Sequence, residues 1–223
     1  MNKSSPAGEL LLDKQELPLN AARPRDRSRN SRAGDYWHFL SAFVRRPRVI
    51  GAIAPSSRRL AEVMIPPVSL KSAQTVVELG AGTGAVTQTL RQRVGRRTNL
   101  IALELDDRSA GRLRQRFRDL QVISDTAENL RRHLDLLGCH SADCIISGLP
   151  WGSMSGDLQD RILDAVLVSL KPGGVFSAMA YVHASGFSSS REFKRKLERN
   201  FGQVASSPIV WANLPPAFVY YCR

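Results

Sequence analysis

The chain has 223 residues, of which 43% are hydrophobic and 23% are charged, and its formal net charge is +12. This length suits one α/β domain with a substantial core and is short for two domains of ordinary size. No apolar run approaches the ~20 residues of a membrane-spanning helix, so we expect no transmembrane segment. Residues 1–18 mix acidic side chains with a short leucine run, which argues against a secretory signal or transit peptide and favours a cytoplasmic protein.

The three cysteines, Cys139, Cys144 and Cys222, include no close CxxC pair. An odd number of cysteines without such a pair argues against a disulfide framework and against a zinc site. We therefore expect reduced thiols in the core and no bound metal.

Much of the positive charge is concentrated near the N-terminus. Residues 21–60 hold ten arginines and two aspartates, a net charge of +8. Such a segment attracts polyanions, either nucleic-acid phosphates or an anionic membrane leaflet, although a basic tail that is simply solvated is the alternative. Because residues 1–34 combine Ser, Pro, Gly and charge without apolar periodicity, we expect them to form a disordered, Arg-rich tail.

Residues 35–70 are predicted to be helical. Asp35 can cap a first helix, rich in aromatic residues at helical spacing, that stops at Pro47. This amphipathic helix could pack on the domain or lie in a lipid interface, so the segment is a candidate for membrane docking. A second helix should begin at the serine pair 56–57 and end at the proline pair 66–67.

Residues 71–223 alternate between strand and helix patterns, which predicts a parallel sheet covered on both faces. Strands are predicted at 76–79, 100–105, 121–124, 144–147 and 175–181, the last after a turn at 171–174. Helices are predicted at 84–95, 107–118, 127–137, 158–170 and 190–200. Two closing runs, 206–211 and 217–222, are expected to pair as an antiparallel hairpin at one edge. These elements predict a Rossmann-like, doubly wound α/β fold whose sheet is mostly parallel.

A glycine turn, residues 80–84, follows the first strand directly. The sequence VVELGAGTG covers residues 76–84 and places Glu78 just before the pattern GxGxG. Glycines let the backbone approach a ligand closely, and the helix that follows directs its first N–H groups at that ligand. The dinucleotide fingerprint GxGxxG would place Ala85 at its last position, so glycine spacing alone leaves a dinucleotide cofactor open.

Acidic residues follow the next two strands. Glu104 ends the second strand, where a carboxylate can accept both hydroxyls of a ribose, and Asp125 follows the third, where it can accept from an adenine amine. Ligands of open α/β sheets bind at the carboxyl ends of the strands, so these acids favour a nucleoside ligand, with helix caps or surface charges as the alternative. Asp106 and Asp107 are expected to cap the next helix.

The combination of ELGAGTG, an acid ending the second strand and an aspartate after the third resembles the class I S-adenosylmethionine-dependent methyltransferases over residues 72–223. The resemblance implies their sheet with its C-terminal antiparallel hairpin, S-adenosylmethionine as cofactor, S-adenosylhomocysteine as product, and no metal. It also implies that the glycine turn cradles the methionine end of the cofactor, Glu104 the ribose and Asp125 the adenine. The implied cofactor-binding residues are Glu78, Gly80, Ala81, Gly82, Thr83, Gly84, Glu104, Leu105, Asp125, Thr126 and Ala127.

The fourth strand runs into an acceptor turn, residues 147–151, at the edge where a methyl acceptor must meet the sulfonium. In-line transfer needs the acceptor lone pair ~3–3.5 Å from the methyl carbon, and carbonyls of a Pro-fixed turn can orient an amine for this. Trp151 could offer its ring to the positive charge, although a place in the core is the alternative. Tyr181 and His183 are expected to face the same pocket, where His183 could take the amine proton or act as a structural donor. The candidate catalytic residues are Ser147, Gly148, Leu149, Pro150, Trp151 and His183.

Two methyltransferase families share this layout. Ribosomal RNA adenine dimethyltransferases carry Asn-Leu/Ile-Pro-Tyr/Phe at the acceptor turn, whereas this chain has Gly148 in place of the asparagine, and we expect no RNA-binding domain after its sheet. Bacterial phospholipid N-methyltransferases are more similar, both at residues 147–150 and upstream over residues 39–64, FLSAFVRRPRVIGAIAPSSRRLAEVM. The Arg-rich residues 21–33 depart from that family.

The second resemblance implies stepwise methylation of phosphatidylethanolamine toward phosphatidylcholine. It implies a peripheral protein on the inner leaflet, with an anionic membrane surface and phospholipid head groups as partners. The basic segment and the amphipathic helix would dock there together, with Arg45, Arg46 or Arg58 contacting the lipid phosphate. The alternatives are a methyltransferase for RNA adenine or a small-molecule metabolite, and a non-catalytic membrane- or nucleic-acid-binding protein. The sequence carries no signal for the oligomeric state.

Overall fold

The computed structural model of the chain describes residues 57–223. The predicted tail 1–34 and the predicted first helix lie outside the described residues. The second predicted helix is confirmed as α1 (Arg58–Met64), which begins after Ser57 because the Ser57 hydroxyl accepts a hydrogen bond from the Leu60 backbone N–H at 3.1 Å.

Residues 57–223 contain seven strands and six α-helices. The strands are β1 (Thr75–Leu79), β2 (Asn99–Leu103), β3 (Gln121–Ile123), β4 (Ala142–Ser147), β5 (Leu170–Tyr181), β6 (Val204–Ser206) and β7 (Ala217–Cys222). The helices after α1 are α2 (Ala85–Arg93), α3 (Asp107–Arg116), α4 (Leu130–Leu136), α5 (Gly156–Ser169) and α6 (Ser188–Asn200). Short 3₁₀ turns lie at Ala127–Asn129, Trp151–Ser153 and Val182–Ala184.

The strands form one sheet in the order β3-β2-β1-β4-β5-β7-β6. Strands β1 to β5 pair in parallel, and β7 pairs antiparallel with both β5 and β6. The predicted fold, a mostly parallel Rossmann-like sheet with a C-terminal antiparallel hairpin, is therefore confirmed. The strand order reverses between β1 and β4, which is the position where open α/β sheets form their ligand crevice.

Helices cover both faces of the sheet. Helices α1 to α3 pack on one face through residues such as Leu60 and Leu90, and α4 to α6 pack on the other through residues such as Ile162 and Phe193. Strand β1 is buried along its whole length because its side chains point alternately into the two faces of the sheet, and helices cover both faces. This burial on both faces explains the continuous apolar runs of the parallel strands.

Two sequence predictions are wrong in extent. The predicted turn at 171–174 lies within β5, where the pairing with β4 shifts from Ala142–Leu170 to Cys144–Val175, so the four residues form a bulge rather than a separate turn. The predicted strand at 206–211 ends early, as β6 at Ser206, and residues 207–216 form a loop. Prolines at positions 208, 215 and 216 cannot donate hydrogen bonds to a neighbouring strand, which accounts for the loop.

All three cysteines lie in the described region, where they are free and buried, as predicted. Burial raises the pKa of the Cys144 and Cys222 thiols to about 12. Among residues 57–223, no helix is both long and apolar enough to cross a bilayer. The same region contains no group of three His, Cys, Asp or Glu side chains arranged to hold a metal ion.

Candidate active site

The glycine turn lies at the carboxyl edge of the sheet, which we define as the edge formed by the C-terminal ends of β1 to β5. Gly80, Gly82 and Gly84 have φ angles of +74°, +52° and +80°, a region that side chains disfavour. A Cβ at Gly80 would lie 2.8 Å from the Leu149 side chain, and a Cβ at Gly84 would lie 2.6 Å from the Phe117 ring. A Cβ at Gly82, by contrast, would have no heavy atom within 4 Å. The turn is therefore tightly packed except at Gly82, where a ligand can approach the backbone.

Glu104 follows β2 directly and contacts the glycine turn. Its Oε2 accepts a hydrogen bond from the Gly82 backbone N–H at 2.7 Å, and its Oε1 accepts from the Asp106 N–H at 2.9 Å. Burial raises the pKa of this carboxyl group, although both backbone hydrogen bonds oppose that shift. Each carboxylate oxygen has a second acceptor position, so Glu104 can still accept hydrogen bonds from ligand hydroxyls beside the open position at Gly82.

Glu78 connects β1 to α2. The carboxyl group is 2% exposed, and its Oε2 accepts a hydrogen bond from the Thr87 hydroxyl at 2.6 Å. Burial, with a further contribution from the nearby Glu104 charge, raises the pKa of Glu78 to about 8 against the opposing effect of the Thr87 hydrogen bond. The Thr87 backbone N–H also hydrogen-bonds this carboxyl group and lowers its pKa, so Glu78 is held against the start of α2.

Asp125 follows β3 and is held by two side chains that the sequence analysis missed. Its Oδ2 lies 2.6 Å from His133 Nε2, and both of its oxygens accept from Asn129 Nδ2 at 3.0 Å. Partial burial acts to raise the pKa of Asp125, but the hydrogen bonds from His133, Thr126 and Asn129 outweigh it and lower that pKa. The four-residue spacing of positions 125, 129 and 133, which run from the end of β3 through the 3₁₀ turn into α4, was the signal available in the sequence.

The other predicted cofactor residues surround these acids. Ala81 and Ala127 are buried, Leu105 is half-buried against the core, and Thr83 is exposed. The Thr126 hydroxyl caps the 3₁₀ turn by accepting from the Glu128 N–H. Beyond β2, the Asp106 carboxylate accepts from the Ser109 N–H at 2.9 Å, so Asp106 is the expected cap of α3.

The acceptor turn lies against the glycine turn. The Gly148 N–H donates to the Leu79 carbonyl at 2.8 Å, and a Cβ at Gly148 would lie only 3.0 Å from the Gly80 carbonyl oxygen. The side chain of Met64, from α1, closes the same position, with its Cε 3.9 Å from that Cβ. A glycine at position 148 therefore allows the two turns to meet backbone to backbone where the strand order reverses.

Trp151 is buried beneath the acceptor turn, with 1% of its surface exposed. Its ring stacks on Phe193 at a centroid distance of 4.3 Å, and its Nε1–H donates to the Ser147 hydroxyl at 2.9 Å. The same hydroxyl accepts from the Leu149 N–H at 3.3 Å. This packing favours the alternative in which Trp151 is a core residue, and it gives Ser147 and Trp151 the role of holding the turn in shape.

One carbonyl of the acceptor turn accepts no hydrogen bond from the described residues. The Leu149 and Pro150 carbonyls accept turn hydrogen bonds from Trp151 and Ser153, both at 3.0 Å. The Gly148 carbonyl has no hydrogen-bond partner among residues 57–223. Gly148 therefore offers a backbone acceptor to a ligand that binds at this turn.

Tyr181 and His183 lie at the same edge of the sheet, where β5 ends next to β4. Tyr181 is buried, which raises the pKa of its hydroxyl to about 12, and its ring centroid lies 5.5 Å from that of His183. His183 is exposed in the 3₁₀ turn that follows β5. The carboxyl edge thus brings together the glycine turn, the acids, the acceptor turn and His183.

A seven-stranded α/β sheet with a glycine turn after β1 and acids after β2 and β3 defines a Rossmann-like nucleoside-binding protein. The profile of a family described as a methyltransferase domain matches residues 76–174. An ornithine lipid N-methyltransferase from Singulisphaera acidiphila is 32% identical over 195 residues, which cover 85% of this chain and 96% of that protein. The chain belongs to the class I S-adenosylmethionine-dependent methyltransferases, and S-adenosylmethionine is its cofactor.

More distant relatives differ in the acceptor that their names state. A ribosomal RNA large subunit methyltransferase E from Xanthomonas oryzae is 25% identical over 78% of this chain and 85% of that protein. An O-methyltransferase from Bacillus cereus, solved in complex with SAH, has a TM-score of 0.58 at 14% identity, over 91% of this chain and 94% of that chain. A ribosomal protein L11 methylase from Lactobacillus delbrueckii has a TM-score of 0.55 at 13% identity, over 74% of this chain and 77% of that chain. These two structural similarities establish the fold alone.

Proposed function

We propose that the protein is a lipid N-methyltransferase that methylates the amine of phosphatidylethanolamine stepwise toward phosphatidylcholine. The observation that carries this proposal is the 32% identity with an ornithine lipid N-methyltransferase over 85% of the chain. The resemblance of residues 39–64 and 147–150 to bacterial phospholipid N-methyltransferases supports phosphatidylethanolamine as the particular acceptor.

The residues of the carboxyl edge fit the cofactor. Glu104 would hold the ribose hydroxyls through its remaining acceptor positions, beside the open side of Gly82. The Glu78 carboxyl group would accept from the ammonium group of the methionine end, and Asp125, oriented by His133, would face the adenine. When bound, the cofactor supplies an electrophilic methyl group on its sulfonium.

The acceptor turn would orient the amine. A primary ammonium group must lose a proton before its nitrogen has a lone pair for in-line attack. The Gly148 carbonyl would accept one amine N–H and so direct the lone pair, while the exposed imidazole of His183 would take the released proton. Ser147, Leu149, Pro150 and Trp151 would contribute by fixing the backbone of the turn.

We also propose that the protein works at the inner leaflet as a peripheral protein. The predicted amphipathic helix before Pro47 and the basic segment 21–60 would provide the attachment. Of the arginines expected to contact lipid phosphate, Arg58 lies in the described region. Its side chain is 89% exposed and makes a 3.5 Å ion pair with Glu62, which solvent screens.

RNA methylation is the second candidate function, because one surface feature favours it. A cleft of about 610 Å³ lies at the amino edge of the sheet, which we define as the edge formed by the N-terminal ends of β1, β2 and β4. Its lining includes four basic side chains, Lys71, Arg96, Arg97 and His140. This cleft could bind a phosphate backbone, but it lies at the edge opposite the acceptor turn, so the lipid amine is the better-supported acceptor.

The test is to follow a labelled methyl group from S-adenosylmethionine into a mixture of phosphatidylethanolamine, ornithine lipid, structured RNA and small amines. We expect the label in the lipid extract, on the amine of phosphatidylethanolamine. With S-adenosylmethionine kept below saturation, a Glu104→Ala variant should transfer much less label than the wild type and serves as the control for contaminating activity. Label found in RNA or in a water-soluble amine, with none in lipid, would contradict the proposal.

A further inference from the structure

A loop at the carboxyl edge exposes large apolar side chains. In loop 207–216, Trp211 is 72% exposed, Leu214 is 69% exposed, and Ile209 is also exposed. Phe187, in the segment that follows β5, is exposed as well. Isolated exposed apolar residues are ordinary on protein surfaces, so the informative feature is that these residues are grouped beside the acceptor side of the sheet.

The loop is held firmly in this position. The buried Asn213 side chain accepts from the Ser57 N–H at 2.9 Å, next to the start of α1. The buried Val210 donates its N–H to the Ala217 carbonyl at 2.7 Å, and the Val182 N–H donates to the Pro216 carbonyl at 3.0 Å. Trp211 and Leu214 therefore project from a loop whose neighbouring residues are fixed in the domain.

Cationic side chains flank these apolar residues. Arg58 and Arg59 follow Ser57, and their side chains are 89% and 69% exposed. On the other side, Arg191 Nη1 donates to the Gly186 carbonyl at 2.7 Å, adjacent to Phe187. An amphipathic tryptophan among aliphatic residues, with arginines around it, matches the chemistry of a bilayer interface, where rings sit at head-group level and cations meet phosphates.

We propose that loop 207–216 inserts Trp211 and Leu214 into an anionic bilayer surface and thereby holds the carboxyl edge against the lipid. This inference deepens the proposed function and rests on it. Insertion at this loop places the bilayer beside the turn that carries His183, because Val182 and Pro216 are directly hydrogen-bonded. A head group then reaches the acceptor turn from the membrane side without leaving the interface.

The amino edge offers the matched comparison. Leu136 is 71% exposed at the end of α4 and Val168 is 62% exposed at the end of α5, and these helices lead into the N-terminal ends of β4 and β5. A bilayer that contacted this edge would face away from the glycine turn and the acceptor turn. The two edges therefore predict opposite orientations of the protein on a membrane.

The first test uses tryptophan emission of the full chain. A Trp37→Phe background leaves Trp151, which is 1% exposed, and Trp211, which is 72% exposed, so a change on vesicle addition reports Trp211. With vesicles of phosphatidylglycerol and phosphatidylethanolamine, we expect a shift to shorter wavelength and quenching by brominated acyl chains. No shift would overturn the proposal, as would a shift that structured RNA produces and vesicles do not. A Trp211 that aqueous iodide cannot quench before vesicles are added would mean that the chain itself covers the loop, which also overturns it.

The second test compares vesicle partitioning of two double variants in the full chain. Trp211→Gln with Leu214→Gln should weaken partitioning by at least about tenfold, equivalent to ~1.4 kcal/mol. Leu136→Gln with Val168→Gln removes apolar surface of comparable exposure from the amino edge and should leave partitioning unchanged. Calorimetry with S-adenosylmethionine should give wild-type affinity for both variants, which shows that they are folded. A loss confined to the amino-edge variant would overturn the proposal.

The outcomes separate this inference from the function on which it rests. If Trp211 enters the bilayer while no label reaches any lipid, the proposed function fails and the docking surface stands. If phosphatidylethanolamine is methylated while Trp211 stays in water, the docking surface alone is wrong.

Discussion

The two edges of the sheet have opposite chemistry. The carboxyl edge holds the buried carboxyl groups of Glu78 and Glu104 and the glycine turn, whereas the amino edge holds the cations of the cleft. Both edges contain a glycine with positive φ and open space at the Cβ position, Gly82 at one and Gly138 at the other. Because carboxyl groups lie beside Gly82 and cations lie beside Gly138, we expect the cofactor to bind at the carboxyl edge.

The largest expected effect concerns the buried Glu78. In a Glu78→Gln variant the amide oxygen can keep the Thr87 hydrogen bond, but the titrating group is lost. The wild-type carboxyl has its pKa raised from 4.5 to about 8 in the folded state, so folding takes up a proton and wild-type stability falls as pH rises through that window. The unfolding free energy of the variant minus that of the wild type should therefore increase between those pH values, by as much as roughly 5 kcal/mol. A difference that stays constant across chemical denaturation curves in this window would contradict the buried, neutral state.

The second effect is on cofactor binding at Glu104. Glu104→Ala should weaken S-adenosylmethionine binding by ~1–3 kcal/mol, because charged hydrogen bonds to the ligand and to the glycine turn are lost. The matched control is Asp119→Ala, since Asp119 is an exposed carboxylate paired with Arg91 away from the edge. Calorimetry should show the loss only for Glu104, and equal affinities for the two variants would remove Glu104 from the site.

The glycines test the comparison between the edges directly. Gly82→Ala and Gly138→Ala should each cost ~1–2 kcal/mol of stability, because both residues have a positive φ and no steric clash awaits the methyl group. Only Gly82→Ala should weaken cofactor binding, by at least about tenfold, since its methyl group fills the open side of the glycine turn. Equal cofactor affinities for the two variants, measured by calorimetry, would show that Gly82 does not line the site.

A smaller effect is expected at His133. His133→Ala removes the 2.6 Å contact to Asp125 but leaves the hydrogen bonds from Asn129 and Thr126, so the carboxylate keeps part of its orientation. Cofactor affinity should fall by a few-fold, on the order of 0.5–1.5 kcal/mol for one hydrogen bond. Adenosine, which lacks the methionine end, should show the same loss in a competition assay. An unchanged adenosine affinity would argue that Asp125 does not face the adenine.

The smallest effect is expected at the amino edge. Changing both Arg96 and Arg97 to alanine removes two cleft cations that make no ion pair among residues 57–223. Stability, cofactor affinity and lipid methylation should stay within experimental error of the wild type. A large loss of methyl transfer in this variant would indicate that the acceptor binds at the cleft, and it would favour RNA as the acceptor.

The sequence alone was sufficient to predict the order of the helices and strands. It was also sufficient to predict the candidate functional residues that lie at the ends of strands. Glu104 and Asp106 could be predicted because a parallel sheet brings its strand ends to one edge, whichever side chains fill the core. Their detailed contacts could not be predicted, because they depend on packing between elements distant in sequence. Glu78 pairs with Thr87 on α2, and the Trp151 ring stacks on Phe193 of α6.

Loop 207–216 shows why an apolar sequence pattern can predict a strand that does not form. The run Ile209, Val210 and Trp211 has the composition of a strand, and the apolar pattern alone predicts one. Of these three residues, only Val210 is buried in the structure. The nearby prolines prevent continuous pairing with β7, so the pairing is limited to a single bridge between Val210 and Ala217. The exposed position of Trp211 thus follows from backbone hydrogen bonding rather than from hydrophobicity.

Mapping where the lipid head group contacts the protein would distinguish the two edges of the sheet. Phosphatidylethanolamine with a photoreactive group on its amine would be presented in vesicles to the enzyme bound to S-adenosylhomocysteine, and the crosslinked peptides would be identified by mass spectrometry. We expect crosslinks to residues 147–151 and 182–187, at the carboxyl edge. Crosslinks confined to residues 95–99 and 138–141, in the cleft of the amino edge, would contradict this expectation.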